Sequence, residues 1–144
     1  MAIINASDLL VYKKSPADVQ EQTLINVSAN AVTTSGTVNL LGVRNSSGGL
    51  LGGTGIWEIT LSDTATEFTT VSSIRNALIL FGYTATAVEF GGGEAWFTAT
   101  NIASGDIDPS LSYEAVTAVI DNSKIEFVVT TSGETLNTYE PIAH

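Results

Sequence analysis

The chain has 144 residues, enough for one domain with a hydrophobic core and short for two. Its net charge of −10, from 15 acidic and 5 basic residues, argues against binding to nucleic acid or to anionic membrane surfaces. The absence of cysteine excludes disulfide scaffolds, and a single histidine at the last position, His144, argues against His/Cys metal sites and His-assisted nucleophiles.

Short strands separated by polar connections are predicted along the first third of the chain. An apolar run at 9–12 predicts a first strand, residues 15–21 a connection, and residues 24–27 the start of a second strand. The stretch 30–43 is rich in β-forming residues, and Gly36 within it indicates a bend or bulge.

A glycine-rich segment follows at 45–55, with the sequence NSSGGLLGGTG and no secondary-structure period. This composition predicts a flexible hairpin loop. Leu50 and Leu51 lie at its tip, where a solvated loop has no local need for apolar side chains. We therefore expect these two leucines to form an inter-subunit contact.

Alternation over residues 56–61 predicts another strand. Its apolar residues Trp57, Ile59 and Leu61 are expected to face the core. Glu58 and Thr60 would then face water.

The helical pattern of the chain covers about residues 70–81. Its apolar residues repeat at three, four and three positions and form one stripe: Val71, Ile74, Leu78 and Phe81. Thr69, Thr70 or Ser72 can cap the start, and Gly82 can end the helix in a left-handed conformation. Ile79 and Leu80 widen the apolar arc, which predicts burial on more than one side.

Two hairpins are predicted after the helix. Residues 84–90 and 94–100 flank a triple glycine, and residues 114–120 and 124–131 flank an Asp-Asn-Ser turn. The polar tail, 133–144, is expected to be extended. Together these elements predict a mainly β fold, a β-sandwich or small β-barrel with one flanking α-helix, in a single β-rich domain over residues 1–144.

Few residues have the spacing of a chemical site. Asp106 and Asp108 resemble part of an oxygen-rich calcium loop, but an Asx-type turn explains them as well, and the sequence leaves open whether they bind a cation. Glu89 and Glu94 are read as solvated hairpin charges. We expect no catalytic residue, no cofactor-binding residue, no resident metal and no enzyme activity.

Aromatic side chains offer one alternative, a sugar-stacking platform formed from Trp57, Trp96, Phe97, Tyr83 and Tyr113. Core packing is the competing explanation for most of them, since they lie in alternating strands or beside the helix. Phe97 and Trp96 are neighbours in one strand, so the two side chains are predicted on opposite faces.

The N-terminal residues 4–12, INASDLLVY, resemble the start of tail-tube and related virion proteins of tailed bacteriophages. Those proteins often begin with an Ile-Asn-Gly-Thr-Asp-Leu-type lead, where this chain has Ala6-Ser7 in place of Gly-Thr. The resemblance implies a β-sandwich or barrel flanked by a helix, rings or lattices of identical subunits, and no enzyme activity. Capsid decoration and head-fibre proteins have similar composition.

The sequence thus favours a non-enzymatic, self-assembling structural protein of a phage virion, with a tail-tube subunit ahead of a capsid decoration or head-fibre protein. Only 14% of residues are charged, against roughly 25% in ordinary globular chains, so either Thr, Ser and Asn cover the surface or other subunits bury part of it. The alternative is a monomeric carbohydrate- or surface-binding β-sandwich module. Expected partners are copies of the chain in a ring or lattice and other virion proteins, with no specific nucleic-acid binding and no membrane.

The expected location is the virion, after synthesis in the host cytoplasm without a signal peptide. Residues 1–10 lack a basic region, and their apolar run is interrupted by Asn5, Ser7 and Asp8. No stretch approaches the ~20 apolar residues of a membrane-spanning helix.

Overall fold

The computed structural model describes residues 12–14, 18–135 and 139–141, the first and last of these ranges by their backbone alone. His144 and most of the N-terminal lead at 4–12 lie outside the described residues, as does part of the predicted tail. None of the described helices has the length and apolarity required to cross a membrane.

Twelve strands and one α-helix make up the regular structure of the described residues. In chain order they are β1 (Tyr12–Lys14), β2 (Gln20–Ser28), β3 (Val32–Thr34), β4 (Gly36–Leu41), β5 (Trp57–Leu61), α1 (Glu67–Phe81), β6 (Thr84–Ala85), β7 (Glu89–Gly91), β8 (Glu94–Ser104), β9 (Ser112–Ala115), β10 (Val119–Ile120), β11 (Ile125–Thr131) and β12 (Tyr139–Pro141). Short 3₁₀ turns occur at Leu51–Gly53 and Asn122–Lys124. The mainly β fold predicted from the sequence is confirmed.

The strands form open antiparallel sheets arranged like a sandwich. The larger sheet has five strands in the order β11-β2-β8-β6, with β7 also paired to β8. The second sheet has three strands in the order β5-β4-β9. Two-stranded pairs join β3 to β10 and β1 to β12. No sheet in the described part of the chain closes into a barrel.

The main core lies between the five-stranded sheet on one side and α1 with the three-stranded sheet on the other. Side chains alternate strictly in β2 and β8, because successive residues of a strand point to opposite faces. The inward set includes Ile25, Val27, Ala95, Phe97 and Ala99, which pack with Leu40 of β4 and with Val71, Ile74 and Leu78 of α1. The helix therefore takes the flanking position that the sequence predicted.

The helix begins earlier than its predicted cap. Thr66 is the N-cap, and its hydroxyl accepts a hydrogen bond from the Thr69 amide at 3.2 Å. Gly82 ends the helix with a φ of 108°, the left-handed conformation expected for it. The helix therefore includes an additional turn before the predicted apolar stripe.

The prediction that Ile79 and Leu80 are buried is wrong. Ile79 is 40% exposed and Leu80 is 72% exposed. A helix that packs on a sheet can bury only one stripe, and Val71, Ile74 and Leu78 already occupy it. The wider apolar arc of this helix is therefore on the protein surface.

The first predicted hairpin is confirmed. Gly91 of β7 pairs with Glu94 of β8, so Gly92 and Gly93 form a two-residue turn. Both have positive φ, 62° and 77°, as a type I′ turn requires.

The second predicted hairpin, between 114–120 and 124–131, is wrong. The first segment pairs with β4 and β3 through β9 and β10, whereas β11 pairs with β2 in the other sheet. Between them, Asp121 caps a 3₁₀ turn by accepting from the amide and hydroxyl of Ser123, at 3.1 and 2.6 Å. These hydrogen bonds lower the pKa of Asp121. The Asp-Asn-Ser turn thus carries the chain from one sheet to the other.

Candidate functional site

The outward side of α1 carries apolar side chains that no described part of the chain covers. Phe68, Ile79 and Leu80 are all at least 40% exposed. Phe90 of β7 is 69% exposed, and Trp57 of β5 is 39% exposed. We call these five residues the helix surface. Trp57 thereby departs from the prediction that it faces the core, whereas Leu61 is buried as expected.

Aromatic contacts join the strand residues of the helix surface to the two ends of α1. Phe68 packs edge-on against Phe90 with ring centroids 5.5 Å apart. Trp57 packs edge-on against Phe81 at 4.9 Å. At 1.5 Å of rise per residue, the two contacts lie about 20 Å apart along the helix. The helix surface therefore consists of one apolar group at each end of α1, and the exposed residues between them are polar.

Charge is nearly absent from this helix. Its charged residues are Glu67 and Arg75, whose formal charges cancel. The Arg75 guanidinium donates through Nε to the carbonyl of Thr86, the residue after β6, at 2.7 Å. This hydrogen bond holds the Arg75 side chain beside the end of β6. The outward side of a solvated helix usually carries charged and polar residues, and this one carries apolar, Thr, Ser and Asn side chains.

A second distinctive surface is the outer face of the five-stranded sheet. Glu126, Asn26, Trp96 and Glu89 are paired in register, one on each of four neighbouring strands, and therefore form one row. The Trp96 indole N–H donates to Glu89 Oε2 at 3.2 Å, which holds the ring in the row. Leu24 and Glu94 complete a shallow depression of about 280 Å³ around it. We call this row and its depression the Trp96 face.

The candidate leucines lie in a loop with a defined path. The Asn45 side chain accepts hydrogen bonds from the Ser47 and Gly49 amides, at 3.0 and 3.2 Å. The Val43 carbonyl accepts from the Leu51 amide, and the Val43 amide donates to the Gly55 carbonyl, both at 2.9 Å. Backbone hydrogen bonds therefore close the loop, which its glycine content alone did not predict.

Leu50 and Leu51 are both half-buried in this loop. Leu51 packs against the main core. Its apolar side chain therefore has a role within its own subunit, contrary to the expectation that the loop has no local need for it. A contact of the two leucines with another subunit stays a prediction, restricted to the parts of their side chains that remain exposed.

The remaining candidates are separated by the fold. Phe97 is 1% exposed and Trp96 lies on the other face, as predicted. Tyr83 is buried, and its hydroxyl accepts a hydrogen bond from the Arg44 amide at 2.8 Å. Burial raises the pKa of Tyr83. Tyr113 is half-buried against Phe127, with ring centroids 5.5 Å apart. The five predicted aromatics therefore do not form one platform.

Sequence reasoning missed the contributions of Asn26 and Glu126 to the Trp96 face. Alternation along the strands places these residues on outer faces, but only the register between strands that are distant in sequence aligns them with Trp96. Within the described residues, no three His, Cys, Asp or Glu side chains come together as a metal-binding group.

Comparisons of the chain with protein-family models, with curated proteins and with solved structures gave no match.

Proposed function

We propose that the chain is a self-assembling structural subunit of a phage particle, with the tail tube as the first candidate position and the capsid surface as the second. The observation that carries the proposal is the helix surface, two groups of exposed apolar side chains at the ends of a helix whose charges cancel. Contiguous exposed apolar surface on a protein typically marks an interaction site. The partner that this proposal assigns to it is a second copy of the chain.

The energetics favour association through this surface despite the net charge. Burying a side chain such as Leu80 or Phe90 contributes about 1.5–3 kcal/mol each. Repulsion between exposed like charges is weak, because ions screen it over about 8 Å at physiological ionic strength. Since α1 has no net charge, the helix itself adds no like-charge repulsion to such a contact.

Open sheet edges support the same proposal. Among the described strands, β11 pairs only with β2 and β5 pairs only with β4. Exposed strand edges offer unpaired backbone groups to another chain. The β11 edge is separate from the helix surface, and two different surfaces on one subunit suit head-to-tail contacts, which close into rings or extend into tubes. The N-terminal resemblance and the low charged fraction agree with this arrangement.

The test is the oligomeric state of the purified chain and of Leu80→Glu. We expect the wild-type chain to form rings, tubes or lattices in light scattering and negative-stain microscopy. Leu80→Glu places a charge at a residue that is 72% exposed, so it should fold with an unchanged melting temperature and stay monomeric.

Val119→Glu is the matched control. Val119 is 54% exposed on β10, which pairs with β3 and is not part of the helix surface. The same change in charge at Val119 should therefore leave assembly intact. A wild-type chain that is strictly monomeric at high concentration would contradict the proposal, and so would normal particles built from Leu80→Glu.

The Trp96 face favours a second candidate function, that of a glycan-binding module. An indole ring can stack on the apolar face of a sugar, and carboxylates and an amide around it can bind sugar hydroxyls. Glu126, Asn26 and Glu89 supply those groups in one row with Trp96. Because the row contains no basic residue, neutral sugars are the ligands that it suits.

For this second function, Trp96→Ala is expected to weaken glycan binding at least tenfold in a calorimetric titration with the best ligand from a glycan array. Trp57→Ala is the matched control, because Trp57 lies on β5 in the other sheet. Absence of any glycan ligand for the wild-type chain, or equal binding by both variants, would exclude this role.

A further inference from the structure

A second depression of about 280 Å³ lies at the end of the sandwich where the loop after β8 meets the chain after β11. The residues that line it are Glu21, Asp106, Ile107, Ser110, Val129, Ser132 and Gly133, so two acidic residues and two serines lie around it. We call it the Glu21 cleft. This volume is well above the roughly 10–15 Å³ that a single water requires, so the depression has room for a partly hydrated ion.

Glu21 is the unusual group in this cleft. It is 3% exposed, and its Oε1 atom is buried without a hydrogen-bond partner. A buried carboxylate without compensation is strongly destabilising, so a ligand or another charge is expected beside it. The alternation of β2 explains its position, because Glu21 continues the inward set of Thr23, Ile25 and Val27.

Among the described residues, Arg44 is the basic residue whose charge acts in the same region, and it pairs with Glu21 neither by ion pair nor by hydrogen bond, although its Nε atom is also buried without a hydrogen-bond partner. Burial raises the pKa of Tyr83, and the charges of Arg44 and Glu21 shift it in opposite directions, so the three groups share one region. The Arg44 guanidinium donates to the carbonyls of Gly48 and Asp108, at 2.8 and 3.4 Å. Within residues 18–135 the ion pair that forms is Lys124 with Asp121, not Arg44 with Glu21.

Asp106 and Asp108, the two carboxylates that resemble part of a calcium loop in the sequence, lie differently with respect to the Glu21 cleft. Asp106 lines the Glu21 cleft, whereas Asp108 does not. The structure therefore replaces the predicted Asp106–Asp108 pair with Asp106 and Glu21, which are far apart in sequence. Among the described residues, two acidic side chains line the cleft, so hydroxyl, backbone and water oxygens must complete any coordination shell.

We propose that the Glu21 cleft binds a calcium ion through the carboxylates of Glu21 and Asp106, with the Ser110 and Ser132 hydroxyls and water as further oxygen ligands. Calcium takes six to eight oxygen ligands in flexible geometry and accepts such a mixed set. Magnesium demands a stricter octahedron and gives up its water reluctantly, so it should bind more weakly. This inference is independent of the proposed assembly.

The experiment is a calorimetric titration of the metal-stripped full chain with CaCl₂, together with melting curves in CaCl₂, in MgCl₂ and in NaCl of equal ionic strength. We expect calcium to raise the melting temperature more than either control salt. Glu21→Gln and Asp106→Asn should each weaken calcium binding at least tenfold. Asp108→Asn, in the same loop, should bind as the wild-type chain does.

Asp106→Asn keeps the test decisive if Glu21→Gln fails to fold, because Asp106 is exposed and its substitution leaves the core intact. The proposal is overturned if calcium acts no differently from NaCl, if magnesium alone binds, or if Asp106→Asn titrates like the wild-type chain. The proposal is also overturned if the Glu21→Gln chain is more stable than the wild-type chain and calcium does not change the melting temperature of the wild-type chain.

Discussion

Replacing Leu78 with Ala is expected to lower the free energy of unfolding by about 2–5 kcal/mol. Leu78 is 0% exposed and lies in the middle of the buried stripe of α1, between the helix and the inner face of the five-stranded sheet. The change removes apolar contacts and leaves a cavity that close-packed neighbours fill only partly. Chemical denaturation followed by circular dichroism measures the difference.

The matched variant is Leu80→Ala, two residues along the same helix. Leu80 is 72% exposed, so the same chemical change should alter the free energy of unfolding of the monomer by less than about 0.5 kcal/mol. If the helix surface is an assembly contact, Leu80→Ala should weaken assembly instead. Equal losses of stability in the two variants would contradict the burial that separates these residues.

Local patterns predicted the elements that depend on neighbouring residues. The apolar stripe of Val71, Ile74 and Leu78 predicted the helix and its buried side, because a 3.6-residue period is a property of the segment itself. The triple glycine predicted the turn between β7 and β8 for the same reason, since positive φ is a local requirement. Alternation likewise placed Phe97 and Trp96 on opposite faces.

Pairing between distant strands was beyond these patterns. The segments on either side of Asp121 have the composition of a hairpin, but they pair with β4 and β2 in different sheets. The local sequence does not distinguish a hairpin from a connection between two sheets, because a turn residue such as Asp121 is suited to both. The Trp96 face and the Glu21 cleft depend on the same long-range register, so neither could be derived from the sequence as a site.

The burial of Glu21 was nevertheless within reach of sequence reasoning. Its position two residues before Thr23 continues the inward alternation of β2, but the predicted connection at 15–21 made this strand begin too late. A charged residue at an inward position contradicts the usual pattern of a buried strand face. Such local conflicts are expected at functional sites, and this one lies at the proposed calcium site.

Gly36→Ala is the second substitution expected to have a large effect, a loss of about 3 kcal/mol in the free energy of unfolding. A Cβ at Gly36 would overlap the Ala118 amide nitrogen and the Thr117 carbonyl carbon, and it would lie 2.7 Å from Ala118 Cα. These are backbone atoms, so no side-chain rotation relieves the overlap. The sequence predicted a bend or bulge at Gly36, and the structure shows a close approach of another segment.

That approach is fixed by a group of hydrogen bonds next to Gly36. The Thr37 carbonyl accepts from the amides of Val116, Thr117 and Ala118, at 3.0, 3.1 and 3.2 Å. The Thr37 amide donates to Thr117 Oγ1 at 2.7 Å. An added methyl group must push this segment away and weaken all of these bonds together, which makes the effect larger than for a glycine in open space.

Gly91→Ala is the control for Gly36→Ala. Nothing lies within 4 Å of a Cβ at Gly91, and its φ is not in the left-handed region, so the change should be neutral or stabilise by up to about 1 kcal/mol. Thermal and chemical unfolding of both variants measure the contrast. A Gly36→Ala chain as stable as the Gly91→Ala chain would show that the 116–118 segment can leave β4 without loss, and the small core of Val32, Val38, Leu61 and Ala118 would then not depend on this contact.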